Sequence, residues 1–168
     1  MKKFTVAILV NNQFGVLNRV TSMFRRRQFN ITSLTVSETE SEKFSRITVQ
    51  SEGDEVKKEQ LINQLYKLPD VCSIAELDNL DTVNRELLLI KVRNDPAFRG
   101  DIRSASDAYE GKVVDYTKES IMIQMVGDSR KIDNFINLMR DFEIMEICRT
   151  GIVTLQRGST TIRRVTNL

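Results

Sequence analysis

Asn12-Gln13-Phe14-Gly15-Val16-Leu17-Asn18-Arg19-Val20, followed by Phe29-Asn30-Ile31, is the stretch whose residue types can hold a small molecule. It lies between an apolar strand, Val6-Ala7-Ile8-Leu9-Val10, and an amphipathic helix. A glycine at a strand-to-helix turn lets the backbone bend sharply and leaves amide N–H groups open at the helix start. Those amides and the helix dipole favour a small anion such as a carboxylate. Asn12 and Asn30 add side-chain amides that both donate and accept. The set suits an amino-acid zwitterion. No lysine stands inside the loop and there is no GxxxxGK[ST] spacing, so a nucleotide P-loop is excluded. The same residues also fit an ordinary strand-to-helix turn that uses asparagine for its turn chemistry.

Other chemistries lack their residues. The 168-residue chain contains no histidine, which removes the commonest general base and metal ligand. Cys72 and Cys148 are far apart and form no CxxC, so zinc and thioredoxin-like chemistry are unsupported; both sit in strand-like runs and read as buried free thiols. Asp70, Asp78 and Asp81 are not paired in a cleft-like context and read as solvated charges. The net charge is +2, too small for bulk electrostatics to dictate a nucleic-acid or membrane partner. No apolar run approaches membrane-spanning length and the start lacks a signal-peptide core, so a cytoplasmic protein is expected.

The elements that position the loop follow from two alternating periods. A strand at 4–10 leads to a helix at about 16–28 with Val16, Leu17, Val20, Met23 and Phe24 on its apolar face. Strands at 31–38 and 44–51 flank the polar turn Glu40-Ser41-Glu42-Lys43. A helix at 55–66 and a strand through Val71, Ile74 and Leu77 close the unit. The order then restarts: a strand at 86–92, a helix at 101–109, strands at 112–117 and 120–126, a helix capped by Gly127-Asp128-Ser129, and a strand at 144–148. Two βαββαβ units predict an α+β protein of two ferredoxin-like sandwiches in tandem. The expected boundaries are residues 1–78, a linker at 79–84, residues 85–150, and a polar tail at 151–168. That plan leaves the strand at 31–38 on a sheet edge. Ile31-Thr32-Ser33-Leu34-Thr35-Val36 is uncharged and rich in β formers, and such an edge invites pairing with a second copy.

At this point the residues resemble a known family. The first unit is similar to an ACT domain, and the chain as a whole resembles the regulatory (small) subunit of acetohydroxyacid synthase, also called acetolactate synthase. The resemblance rests on the two segments above extended through Val36, on Gly53-Asp54-Glu55, on Gln64 to Val71, on Arg85 to Val92, and on Arg149 to Gly158. It implies a subunit with no catalytic centre or cofactor of its own. The family's small subunit binds and activates a large subunit that carries thiamine diphosphate, Mg²⁺ and FAD, and it confers feedback inhibition by branched-chain amino acids, typically valine. It further implies that valine, leucine or isoleucine binds between two ACT domains, with Asn12 to Asn18 of one chain facing Asn30 and Ile31 of the other. In that arrangement the amides of Gly15, Val16 and Leu17 hold the carboxylate, Asn12 and Asn30 hold the ammonium, and Ile31 offers an apolar wall. Such a wall separates side chains by only about 1–3 kcal/mol per methylene. The chain departs from the family pattern at Gln28, where glycine is usual, and at Phe14, where a small residue or proline is usual.

An RNA-binding module shares the βαββαβ plan but stacks bases on aromatics of its central strands. Lys43-Phe44-Ser45-Arg46-Ile47-Thr48-Val49-Gln50 offers one aromatic and does not match the RNP1 pattern, so no nucleic-acid partner is expected.

Overall fold

Residues 2–78 and 81–164 are described by the computed structural model. The elements are β1 (Lys2–Asn11), α1 (Val16–Arg26), β2 (Ile31–Glu38), β3 (Phe44–Gly53), α2 (Glu55–Leu65), β4 (Val71–Glu76), β5 (Thr82–Arg93), α3 (Arg99–Ala108), β6 (Lys112–Tyr116), β7 (Ser120–Gly127), α4 (Ser129–Met139), β8 (Ile144–Arg149) and β9 (Val153–Gln156), then a 3₁₀ turn, Ile162–Arg164. The described residues divide into two units: those up to Val83 together with those from Ile152 onward, and residues 84–151.

In the first unit the strands run in the order β2-β3-β1-β4, all antiparallel. β1 is central and apolar on both faces. Phe4, Val6, Ile8 and Val10 enter the core with Val16, Val20 and Phe24 of α1 and Leu61, Ile62 and Leu65 of α2. Ala7, on the opposite face, packs with Ala75, Leu77 and Ile162. A strand buried on both sides reads as a continuous apolar run instead of an alternation, which explains Val6 to Val10. Asp54 caps α2 by accepting from the Lys57 amide at 2.7 Å.

α1 ends two residues earlier than its periodicity predicts. The amide of Phe29 donates to the Phe24 carbonyl at 2.9 Å and that of Gln28 to Arg25 at 3.0 Å. This is the Schellman pairing, and Gln28 takes the left-handed position at φ 57° where glycine is usual. The departure from glycine therefore leaves the helix end intact. Phe29 then packs edge-on against Phe4, with ring centroids 5.5 Å apart. Its ring lies so close to Gly53 that a Cβ there would meet it at 2.4 Å.

The second unit repeats the plan with the order β6-β7-β5-β8. Leu88, Ile90 and Val92 of β5 and Ile121, Ile123 and Met125 of β7 face Ile132, Phe135 and Met139 of α4 and Ile102 of α3. Asp128 caps α4 through the Lys131 amide at 2.8 Å. Arg149, at the end of β8, donates to the buried Glu86 carboxylate at 2.7 and 2.9 Å and reaches Asp133 at 2.7 Å.

Several expectations are corrected. Residues 82–84 begin β5 and are not linker, while Asn79 and Leu80 lie outside the described residues. The tail is not a bare polar segment: it forms β9 and returns to the first unit. There the Ile152 amide donates to Ser33 Oγ at 2.9 Å and the Arg157 amide to the Asp81 carbonyl at 2.9 Å. Cys148 is exposed, because β8 is an edge strand and Cys148 sits opposite Leu89, away from the core. Asp70 is buried rather than solvated, and Asp78 accepts from the Thr5 amide at 2.7 Å.

Candidate functional site

The strand-to-helix loop leaves β1 at Asn11, whose amide donates to the Asp70 carbonyl at 2.8 Å. The Asn12 amide donates to Lys43 O at 2.8 Å, and Gln13 closes a tight turn onto Asn11 O at 2.9 Å. Gly15 follows with φ +80°, a left-handed backbone that side chains rarely adopt. It serves as the N-cap of α1 with no side-chain cap. The first helical turn contains no acid, so its amides and positive dipole end are not neutralised from within the helix. Val16 is an exception among the expected carboxylate donors: its amide already donates to Gln13 O at 3.3 Å, and its side chain is in the core. Leu17 is 40% exposed and Asn18 is exposed. Phe14 stands fully in solvent.

Asn12 is committed to structure. Its Nδ2 donates to Glu38 Oε1 and to the Glu42 carbonyl, both at 2.9 Å, and its Oδ1 accepts from Ser45 Oγ at 3.0 Å. The side chain thus latches the β2–β3 turn to the end of β1. Those bonds use one lone pair of Oδ1 and leave the other open to a further donor.

Asn30 and Ile31 lie elsewhere. The Asn30 carbonyl accepts from Ser51 Oγ at 2.6 Å, its side chain is exposed, and Ile31 packs partly onto the core. Ile31 is paired with Ser51, whereas Glu38 is paired with Ser45 and Asn11 with Phe44. The Asn12 loop and Asn30 therefore stand at opposite ends of one sheet. The seven steps of β2 separate them by about 24 Å. One chain cannot bring the two halves of the expected site together.

Two chains can. β2 is an edge, and Leu34 and Val36 remain 36% and 39% exposed along it. An antiparallel, two-fold pairing of β2 with a second β2 sets the Ile31 end of one strand beside the Glu38 end of the other. Such a pairing would carry Asn30 of one chain to the Asn12 loop of the other.

The sequence did not point to Arg19. Its Nε and Nη2 donate to the Asp70 carboxylate at 2.8 and 2.7 Å. Its Nη1 lies 3.4 Å from where a Cβ on Gly15 would sit. A half-exposed guanidinium, anchored by a buried carboxylate, thus lies over the loop that was read as an anion site. The signal was present in the i, i+4 spacing from Gly15 to Arg19, which places both on one helix face. Among the described residues no cluster of histidine, cysteine or carboxylate side chains could hold a metal ion. No helix among them is long and apolar enough to cross a membrane.

Comparison with known proteins agrees with this architecture. Residues 6–73 match the family model described as "AHAS small subunit-like ACT domain", and residues 85–158 match "Small subunit of acetolactate synthase". A probable acetolactate synthase small subunit of Archaeoglobus fulgidus is 44% identical over 157 residues, covering 94% of this chain and 98% of that protein. The acetolactate synthase small subunit of Bacillus subtilis is 41% identical over 161 residues, covering 94% and 92%. The crystal structure of the acetolactate synthase small subunit from Thermotoga maritima superposes with a TM-score of 0.87 at 37% identity, covering 95% of this chain and 100% of that one. The two ferredoxin-like units, the first of them an ACT domain, and relatives matched over nearly their whole length make this chain a member of the acetolactate synthase small subunit family.

Proposed function

We propose that this chain is a non-catalytic regulatory subunit that binds and activates the acetohydroxyacid synthase catalytic subunit in the cytoplasm. Through its ACT domain it confers feedback inhibition by a branched-chain amino acid: valine, leucine or isoleucine. Thiamine diphosphate, Mg²⁺ and FAD belong to the catalytic partner. The effector lies between two ACT domains joined through β2. The observation that carries this reading is the split site: the Asn12–Asn18 loop and Asn30 stand at opposite ends of the same free-edged sheet. The amides of Gly15 and Leu17, with Asn18 beside them, take the carboxylate at the N-terminus of α1. Arg19, held by Asp70, adds positive charge over Gly15. The Asn30 side chain of the mate takes the ammonium, and Ile31 flanks the aliphatic side chain.

Co-purification with a catalytic subunit, followed by titration of acetolactate formation with each amino acid, tests the proposal. The isolated chain should form no acetolactate. The reconstituted pair should exceed the catalytic subunit alone and lose that excess as the effector rises. No complex, or an activity indifferent to all three amino acids, overturns it.

A further inference from the structure

The first sheet has a second face, turned away from α1 and α2. Residues 152–164 run beside it and leave a cleft of about 620 Å³. Leu9, Ala75, Leu77, Leu155 and Ile162 make most of its apolar wall. Arg46 enters from β3, and its Nη2 donates to the Thr154 carbonyl at 2.7 Å. Among the described residues no carboxylate pairs with it. This is unusual for a partly buried cation in this molecule: Lys58 has Glu55 and Glu76, Arg149 has Glu86 and Asp133, and Arg19 has Asp70. The two acids that line the cleft are engaged elsewhere. Glu38 accepts from Asn12, and Glu40 pairs with Arg163 at 2.8 Å. Burial lowers the Arg46 pKa from its ordinary value, as expected of a guanidinium removed from water without a counter-charge. Beside the cleft, sharing Leu9 and Arg163 with it, a smaller space of about 270 Å³ is lined by Ser73. Ser73 is 2% exposed, and its buried hydroxyl has no hydrogen-bond partner among the described residues.

We propose that this cleft is a binding site for a small aliphatic carboxylate, with Arg46 as its anion ligand and Leu9, Leu77 and Leu155 around its hydrocarbon part. A guanidinium offers five donors in a planar fork that matches a carboxylate. The volume falls within the ~300–1,000 Å³ range of small-molecule sites. Glu40 is paired with Arg163, while Glu38 accepts from the neutral Asn12 amide and keeps its charge. The site is separate from the effector loop and does not depend on the reading proposed for it.

The test titrates isovalerate and 2-oxoisovalerate into the purified full-length chain by calorimetry, with valine as the competing probe. Saturable binding of one acid per chain is expected, persisting when valine is saturating. Arg46→Met should weaken it about tenfold or more, as loss of a charge-assisted bidentate contact does. Ala75→Leu, which keeps Arg46 but fills the cleft, should also abolish binding, and Asn30→Ala should leave it unchanged. Nuclear Overhauser contacts from the acid's methyl groups to Leu9 and Leu77, measured on the unmodified protein, locate the ligand independently of how the variants fold. Absence of saturable binding, contacts elsewhere, or loss of binding in Asn30→Ala but not in a folded Arg46→Met overturns the proposal.

Discussion

Replacing Leu34 and Val36 together by lysine should separate the two ACT domains and remove the amino-acid response with them. Both side chains share the helix-facing side of the sheet, opposite Val49 and Ile47. They remain 36% and 39% exposed, because β2 is the edge strand. Fully burying a side chain of this kind contributes about 1.5–3 kcal/mol. The exposed third or so is therefore worth about 0.5–1 kcal/mol for each residue when a mate covers it. Two residues in each of two chains give about 2–4 kcal/mol, or roughly a 30- to 1,000-fold weaker dimer. Like charges brought together across the two-fold axis add to the loss. The fold of each unit should survive, because lysine stems cover apolar surface while the ammonium stays in water. Sedimentation over a dilution series measures the dimer constant, and thermal unfolding checks the fold. Activity of the reconstituted enzyme against valine, leucine and isoleucine reads the consequence. An unchanged dimer constant, or a dissociated variant that keeps the full amino-acid response, would refute the two-chain site.

Asn30→Ala should weaken the effector about 10- to 150-fold, the effect of one lost hydrogen bond to a charged group, at roughly 1.5–3 kcal/mol. Basal activation should change little; calorimetry on the variant dimer reads the affinity, and a value equal to the parent's removes Asn30 from the site. Gly15→Asp should abolish the response while the chain still activates its partner. It forces a side chain into the left-handed region, costing about 1–2 kcal/mol, and sets a carboxylate beside the Arg19 guanidinium where the ligand's own carboxylate would lie. Retained sensitivity would count against the loop. For the thiols, exposed Cys148 should react with iodoacetamide well before Cys72. Burial pushes the Cys72 thiol up, with the nearby Arg163 cation opposing, so its labelling should accelerate as pH rises above neutrality. Mass mapping of the labelled peptides shows the order, and equal rates at neutral pH would contradict the partial burial of Cys72.

The period-2 and period-3.6 patterns located both βαββαβ units to within a few residues. In α4, Ile132, Phe135 and Met139 follow the helical repeat and are fully buried. The free edge at β2 followed from strand order alone. What stayed hidden is non-local. Arg19 and Asp70 are 51 residues apart, and nothing in either neighbourhood announces the other. The structural partners of Asn12, namely Glu38, Glu42 and Ser45, are brought to it only by the sheet register. The docking of the tail is hidden for a different reason. In β9 the usual alternation is inverted: Val153 and Leu155 are 47% and 64% exposed, Leu155 along the open cleft, while Thr154 is buried at 4%. A strand with its polar residue inside carries no apolar signal for the face it covers. Cys148 was misplaced because an apolar run at a sheet edge looks the same in sequence as one at its centre.

The return of residues 152–164 to the first unit has a bearing on how the protein is made. The first sheet is fully synthesised by the end of β4, yet the segment that lies over Ala7, Ala75 and Leu77 follows the whole of the second unit. At roughly 5–20 residues per second of translation, about 75 intervening residues take on the order of 4–15 s. For that interval Ala7, Leu9, Ala75 and Leu77, set among Arg46, Thr48 and Gln50 on the second face of the nascent ACT domain, stay uncovered on the ribosome beside the edge strand β2. The time for which this face waits for its cover is thus set by the length of the second unit.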